Sequence, residues 1–204
     1  MDMVAERGGE REIIGVTGFI GSGKSRVSHF LADKLVCRHI DADMIARNIM
    51  APGERGWLAI RKYNPTFINA DGQLDRVQLR HEIFSNPSVK DKIDSLIHPL
   101  VQNDIEEKLG SESGQWVVVE VPLLFEAGWE KIFTRIILVY AQKGVCLKRV
   151  VARDDVSLVQ AEKSYQSQMG ASEKINMADH IIDNSGSWWD TQLQALHLVD
   201  ILTS

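Results

Sequence analysis

The stretch Gly18–Ser25, GFIGSGKS, constrains this chain more than any other. It follows the short apolar run EIIGVT and precedes KSRVSHFLADKL, in which Val27, Phe30, Leu31 and Leu35 recur at helical spacing. Gly18, Gly23, Lys24 and Ser25 fit G-x-x-x-x-G-K-[ST] between an expected strand and an expected helix, the setting in which that pattern marks a phosphate-binding loop. Glycines allow the torsions that turn successive amides inward as a nest for anionic oxygens. The helix that follows adds its positive end. Lys24 can reach the β- and γ-phosphates, and the Ser25 hydroxyl can ligate Mg²⁺. The loop therefore implies a bound nucleoside triphosphate.

Beyond the loop, QWVVVEVPLLFE and RIILVYA read as strands covered on both faces, and HIIDNSG as a last short strand. The segments GVCLKRVVARDD, SLVQAEKSYQSQM and SWWDTQLQALHLVDIL read as helices, the second opened by a Ser157–Gln160 capping box. Residues 55–114 are mostly helical in pattern, cut by turn signals at Asn64-Pro65, Asp71-Gly72, Asn86-Pro87 and His98-Pro99. Alternating strands and helices predict an α/β fold, a parallel sheet with helices on both faces. Residues 1–11 read as a disordered, charged N-terminal extension with no signal-peptide core.

With 204 residues the chain fits one domain with inserted parts. Its net charge of −5 argues against a nucleic-acid-coating surface, and no run approaches the roughly 20 apolar residues of a membrane span. Cys37 and Cys146 match no metal or redox spacing, which predicts reduced, buried thiols in a cytoplasmic protein. Nothing calls for an obligate protein partner.

The size and the lack of a guanine-reading N/T-K-x-D stretch favour a small kinase over a GTPase or a large ATPase. Phosphoryl transfer to an alcohol needs a carboxylate near the acceptor and cations around the transferred group. Asp41 and Asp43, in DAD, fall at the end of the second predicted strand, which is expected beside the first. Together they could supply a base and a partner for Mg²⁺, or one could cap the next helix. Arg149 and Arg153, four apart on one helix, could close over a triphosphate or pair with Asp154 and Asp155 on a solvated face. Two rivals stay open on these residues. One is a kinase of nucleoside monophosphates or sugar-like alcohols, and the other a non-catalytic ATP-binding module.

TGFIGSGKS, DADMIAR, DGQLDRVQLRHEIF, IHPLV, EVPLLFE, LKRVVARDD and ADHIIDNSG follow one another in this order. This ordered set resembles the dephospho-CoA kinase family from about Ile13 to beyond Gly186. The resemblance implies a P-loop three-layer core at about 12–54 and 115–204, a helical CoA-binding subdomain at about 55–114 and a small helical lid at about 144–172. It implies ATP and Mg²⁺ as donor and metal, dephospho-CoA as acceptor, and phosphorylation of the ribose 3′-hydroxyl, the last step of coenzyme A synthesis. Carried onto these positions, Asp43 would be the general base. Gly18, Ile20, Gly21, Ser22, Gly23, Lys24, Ser25 and Arg26 would enclose the ATP phosphates, and Asn184 would lie near the adenine. Arg149 and Arg153 would belong to the lid. Asp41, Arg76, Arg80 and His98 would face the acceptor, and Glu120 would stand beside the metal. The chain departs from the family pattern at Phe19, where many members have glycine, at Cys146, often glutamine, and at Ser164, often arginine. Trp188-Trp189 is expected only to pack the last helix.

Overall fold

The computed structural model describes residues 11–204. The expected N-terminal extension lies outside these residues except for Arg11, whose Nε donates to the Gly114 carbonyl at 3.3 Å. The described chain divides into two compact units. One runs up to Ile40 and resumes at Ser113–Ser204; the other is Asp41–Glu112.

In the first unit, five strands form one sheet among the described residues: β1 (Glu12–Gly18), β2 (Arg38–Asp41), β3 (Trp116–Glu120), β4 (Arg135–Tyr140) and β5 (His180–Asp183). Their order is β2-β3-β1-β4-β5, and β1 pairs in parallel with both β3 and β4. The expectation that β2 lies beside β1 is thus corrected, because β3 intervenes. The reason is polarity. WVVVE and RIILVY are almost wholly buried and take the two places beside β1, whereas Arg38, His39 and Asp41 of β2 keep partial exposure, which suits an edge. β3 is also shorter than the apolar run suggested. It stops at Glu120, and Pro122, lacking an N–H, turns the chain away.

Helix α1 (Lys24–Lys34) and helix α9 (Trp188–Thr203) cover one face of the sheet. There Val27, Leu31, Ala195 and Leu198 pack on Ile14, Val16, Val118, Ile137 and Val139. On β1 the intervening Gly15 lies so close to Phe133 and Leu124 that an added Cβ would come within 2.8 Å of the Phe133 ring. Helices α6 (Lys143–Asp154) and α7 (Leu158–Gln166) follow β4, and the Ser157–Gln160 capping box forms as expected. A further short helix, α8 (Ala171–Met177), was not foreseen.

The second unit comprises α2 (Ala42–Ile49), α3 (Arg55–Tyr63), α4 (Arg76–Ser85) and α5 (Pro87–Gly110). Helix α2 packs with α5, so this helical unit begins at Asp41, earlier than the 55 expected. The turn expected at His98-Pro99 is also absent, and α5 continues through Pro99. An internal proline costs a helix about 3 kcal/mol. Against that, α5 buries Ile93, Ile97, Val101, Ile105 and Leu109 at four-residue spacing, each worth about 1.5–3 kcal/mol. Burial wins. Among the described residues, no helix is long and apolar enough to cross a membrane.

The turn from α1 into β2 contains Val36 at φ 48°, in the left-handed region, 91% exposed. This is the position after a helix C-cap that normally takes glycine, and a β-branched residue is strained there. Val36→Gly should therefore raise stability by about 1 kcal/mol, read as a higher midpoint in urea unfolding. A lower midpoint would contradict the strain.

Candidate active site

The turn between β1 and α1 demands glycine at two points. Gly23 precedes α1 at φ 87°, and a Cβ there would fall 2.3 Å from Asn184 Nδ2. Gly21 has φ 78°, and a Cβ there would fall 2.4 Å from the Cys146 carbonyl oxygen. None of the described side chains caps α1, and its first turn holds no acidic residue. Its positive end is therefore left for an anion. An open cleft of about 440 Å³ lies there, lined by Gly21, Gly23, Lys24 and Ser25 of the loop and by Arg149, Ala152 and Arg153 of α6.

The loop is held from behind. Arg149 donates to the carbonyls of Gly21 at 3.4 Å, Ser22 at 3.3 Å and Asn184 at 2.9 Å. Asn184, at the end of β5, donates from Nδ2 to the Ser22 carbonyl at 2.7 Å and accepts at Oδ1 from the Thr191 hydroxyl at 2.9 Å. Gln168 accepts from the Ile20 amide at 2.9 Å. A trans peptide points its C=O and N–H in opposite directions. Drawing the Ser22 carbonyl backward therefore leaves the Gly23 amide directed away from these clamps.

The structure brings Gly21, Gly23, Lys24, Ser25, Arg149 and Arg153 to one cleft, with Gly18, Ile20 and Ser22 as loop framework. Arg153 is also paired with Asp154 through Nε at 2.7 Å and a terminal nitrogen at 2.8 Å. Arg26 differs from expectation. Its amide donates to the Gly23 carbonyl at 3.1 Å, and its guanidinium lies 3.9 Å over the Trp188 ring. A cation over an indole face is attracted by the ring quadrupole, which gives Trp188 a second contact besides its edge-on packing with Phe30. Asn184 is buried, with both ends of its amide engaged by protein.

Ser25 donates its hydroxyl proton to Glu120 Oε1 at 2.5 Å. Burial pushes the Glu120 carboxyl upward, but the neighbouring His39 ring, the Ser25 and Ser28 hydroxyls and the charge of Lys24 outweigh it and hold the pKa below its ordinary value. A neutral hydroxyl beside a carboxylate suits Mg²⁺, which takes few protein oxygens and completes its shell with phosphates and water.

In the helical unit, Asp41 is the N-cap of α2 and accepts from the amides of Asp43 at 2.8 Å and Met44 at 3.1 Å. Of the two DAD carboxylates it is the cap, and Asp43 stands exposed on the first turn. Arg76 and Arg80 are exposed, one turn apart on α4. His98 lies on α5 with Nε2 3.6 Å from Asp94. Burial lowers its pKa, Asp94 opposes the shift and Lys90 adds to it.

Phe19 occupies the interior. It is 1% exposed, stacks on Tyr165 at 4.6 Å and 14°, and shares a cluster with Ala141 and Cys146. The Lys174 ammonium sits 4.9 Å from its ring centre and 2.8 Å from Glu126. Burial pushes the Cys146 thiol up to about 11, against the opposing charges of Arg149 and Lys24. Two departures from the family pattern, Phe19 and Cys146, therefore meet in one contact that fastens α7 and α8 to the loop. Gln168, Thr191, Tyr165 and Lys174 carried no sequence signal of this role, since their partners are distant in the chain.

A family model described as dephospho-CoA kinase matches residues 12–190. The dephospho-CoA kinase of Shewanella oneidensis is 35% identical over 188 residues, covering 91% of each chain. Among solved structures, a protein from Thermus thermophilus superposes with a TM-score of 0.85 at 31% identity, over 96% of this chain and 100% of that one. Dephospho-CoA kinase from Campylobacter jejuni superposes with a TM-score of 0.67 at 30% identity, over 93% of this chain and 96% of that one.

Removal of the buried ring should be costly. Phe19→Ala is expected to lower stability by about 3–5 kcal/mol in urea unfolding, as for other buried Phe truncations. A loss under about 1 kcal/mol would mean the loop does not depend on this contact.

Proposed function

The chain belongs to the dephospho-CoA kinase family, and from that premise we propose that it transfers the γ-phosphoryl group of ATP to the ribose 3′-hydroxyl of dephospho-CoA. The products are coenzyme A and ADP, in the last step of coenzyme A synthesis. The observation that carries this reading is the uncapped start of α1 facing a cleft lined by Lys24, Arg149 and Arg153, inside a chain that matches the family through residue 190. That match takes in the helical unit, so a nucleoside monophosphate or sugar acceptor is not favoured. Nor is a non-catalytic module.

The loop amides and the α1 terminus would bind the triphosphate, with Lys24 on its outer phosphates. Arg149 would serve twice, fixing the loop carbonyls and adding positive charge at the cleft wall. Arg153 would meet the charge that develops on the transferred group, exchanging its Asp154 partner for phosphate oxygen. Ser25, backed by Glu120, would hold Mg²⁺. When bound, the ion neutralises charge on the phosphoryl oxygens. Asp43 is assigned as the general base that takes the proton from the 3′-hydroxyl. Asp41 starts the helix that carries it. Arg76 and Arg80 are assigned to the pyrophosphate of the acceptor, and His98 to the acceptor side of the same unit. Asn184 is assigned to the loop rather than to the base of the nucleotide.

A coupled assay of ADP release with ATP and Mg²⁺ tests the acceptor. Dephospho-CoA should support turnover and yield coenzyme A by mass, whereas nucleoside monophosphates, adenosine and simple sugars should not. Turnover with one of those alone would keep the kinase and discard the acceptor. Asp43→Asn should retain ATP affinity and lose about 100-fold or more in turnover. Near-normal turnover would remove the assigned role. Lys24→Ala should weaken nucleotide binding and slow the reaction together, because its charge meets the phosphates in ground and transition states alike. Unchanged ATP affinity in that variant would contradict the contact.

A further inference from the structure

Behind Ser25 lies a closed set of polar groups that the roles above leave without explanation. Ser28 is one helical turn beyond Ser25 on α1 and is fully buried. Its hydroxyl lies 3.0 Å from Glu120 Oε2 and 3.0 Å from the Ser25 carbonyl. The ring of His39, on edge strand β2, brings Nε2 to 3.0 Å from that hydroxyl and 3.6 Å from Glu120 Oε2. The His39 side chain is 13% exposed, and its ring centre is 4.0 Å from that of His29.

Counting protons decides how this set is wired. Ser25 gives its one hydroxyl proton to Glu120 Oε1. Ser28 also has only one to give. If His39 Nε2 carries hydrogen, it donates to Ser28, and Ser28 gives its own proton to the charged Glu120 Oε2 in preference to the neutral Ser25 carbonyl at the same distance, since a bond to an ionised acceptor is the stronger one. Both oxygens of the buried carboxylate are then satisfied. If Nε2 were the acceptor, Ser28 would have to donate to the ring and Oε2 would lose its short donor. Leaving a buried anion short of donors is costly. The geometry therefore selects the Nε2–H form.

We propose that His39 is a positioning residue for Ser25: through Ser28 it locks the Glu120 carboxylate in the orientation that takes the Ser25 proton, and so turns the Ser25 lone pairs toward the metal that accompanies the triphosphate. This rests on Ser25 being the Mg²⁺ ligand. His39 touches neither nucleotide nor acceptor in this scheme. Outer partners of this kind set the orientation of a metal-binding oxygen, and their loss commonly costs 10–100-fold in metal affinity.

The test compares wild type, His39→Gln and His39→Leu by calorimetric titration of ADP, first in EDTA and then across a Mg²⁺ series. Glutamine can return an N–H near the place of Nε2; leucine fills space without a donor. His39→Leu should bind ADP in EDTA as wild type does, yet need about 10-fold more Mg²⁺ for the same gain in affinity. In turnover it should lose kcat with little change in KM for dephospho-CoA. His39→Gln should stay close to wild type in both. A leucine variant with the wild-type Mg²⁺ response overturns the proposal. So does one whose ADP affinity already falls in EDTA, because that is damage to the fold of the loop. Should His39→Leu not fold, Ser28→Ala breaks the same relay and must shift the Mg²⁺ requirement in the same direction, failing which the proposal falls. A wild-type protein whose ADP affinity ignores Mg²⁺ would overturn the metal role of Ser25 itself, and this inference with it.

Discussion

The start of α1 is left uncapped, and much of the first unit is arranged to make that tolerable. A helix N-terminus carries amides with no partner inside the helix, and proteins usually satisfy them with a Ser, Thr, Asp or Asn side chain. Here the position is Gly23, whose left-handed torsion and close approach to Asn184 leave no place for a side chain. The chain instead spends its polar contacts behind the loop. Arg149, from α6, and Asn184, from the end of β5, converge on the Ser22 carbonyl from positions 127 and 162 residues away. Holding the carbonyls fixes the amides in advance of any ligand. Such preorganisation lets a site bind charge without reorganising during reaction.

The same economy governs the charges. A chain of net charge −5 gathers three cations at one cleft, and its two arginines stand in different electrostatic settings. Arg149 is tied to carbonyl oxygens, so its charge is anchored but not neutralised. Arg153 carries the Asp154 carboxylate as its partner, on an exposed face where such a pair contributes little. Glu120 is buried near the loop, and the His39 ring, the two serine hydroxyls and the charge of Lys24 hold its pKa below the ordinary value.

Phe19 illustrates how a departure from a family pattern can be structural without touching the site. A ring where many members have glycine adds bulk at the entrance of the loop. The ring instead turns inward between Tyr165 and Lys174, where burying it stabilises the contact of α7 and α8 with the loop. The lysine beneath it is wholly buried and paired with Glu126, a burial that sequence position alone gives no reason to expect.

What the sequence determined by itself is whatever neighbouring residues enforce on one another. The glycine spacing of the loop, the helical period after Lys24, the apolar strands WVVVE and RIILVY and the Ser157–Gln160 cap are demands of torsion and local periodicity, legible without a partner. The family pattern added the acceptor and the order of the motifs. Tertiary structure decided the rest. The sequence led to β2 beside β1, and only the competition among strands for the places next to β1 put β3 between them. Proline at 99 reads as a break until five buried side chains are set against it. The stacking of Arg26 on Trp188 and the chain from Ser25 through Glu120 and Ser28 to His39 join groups that no period connects. Their energies come from desolvation and hydrogen-bond geometry at the point of contact, and those exist only once distant segments have been brought together by the core.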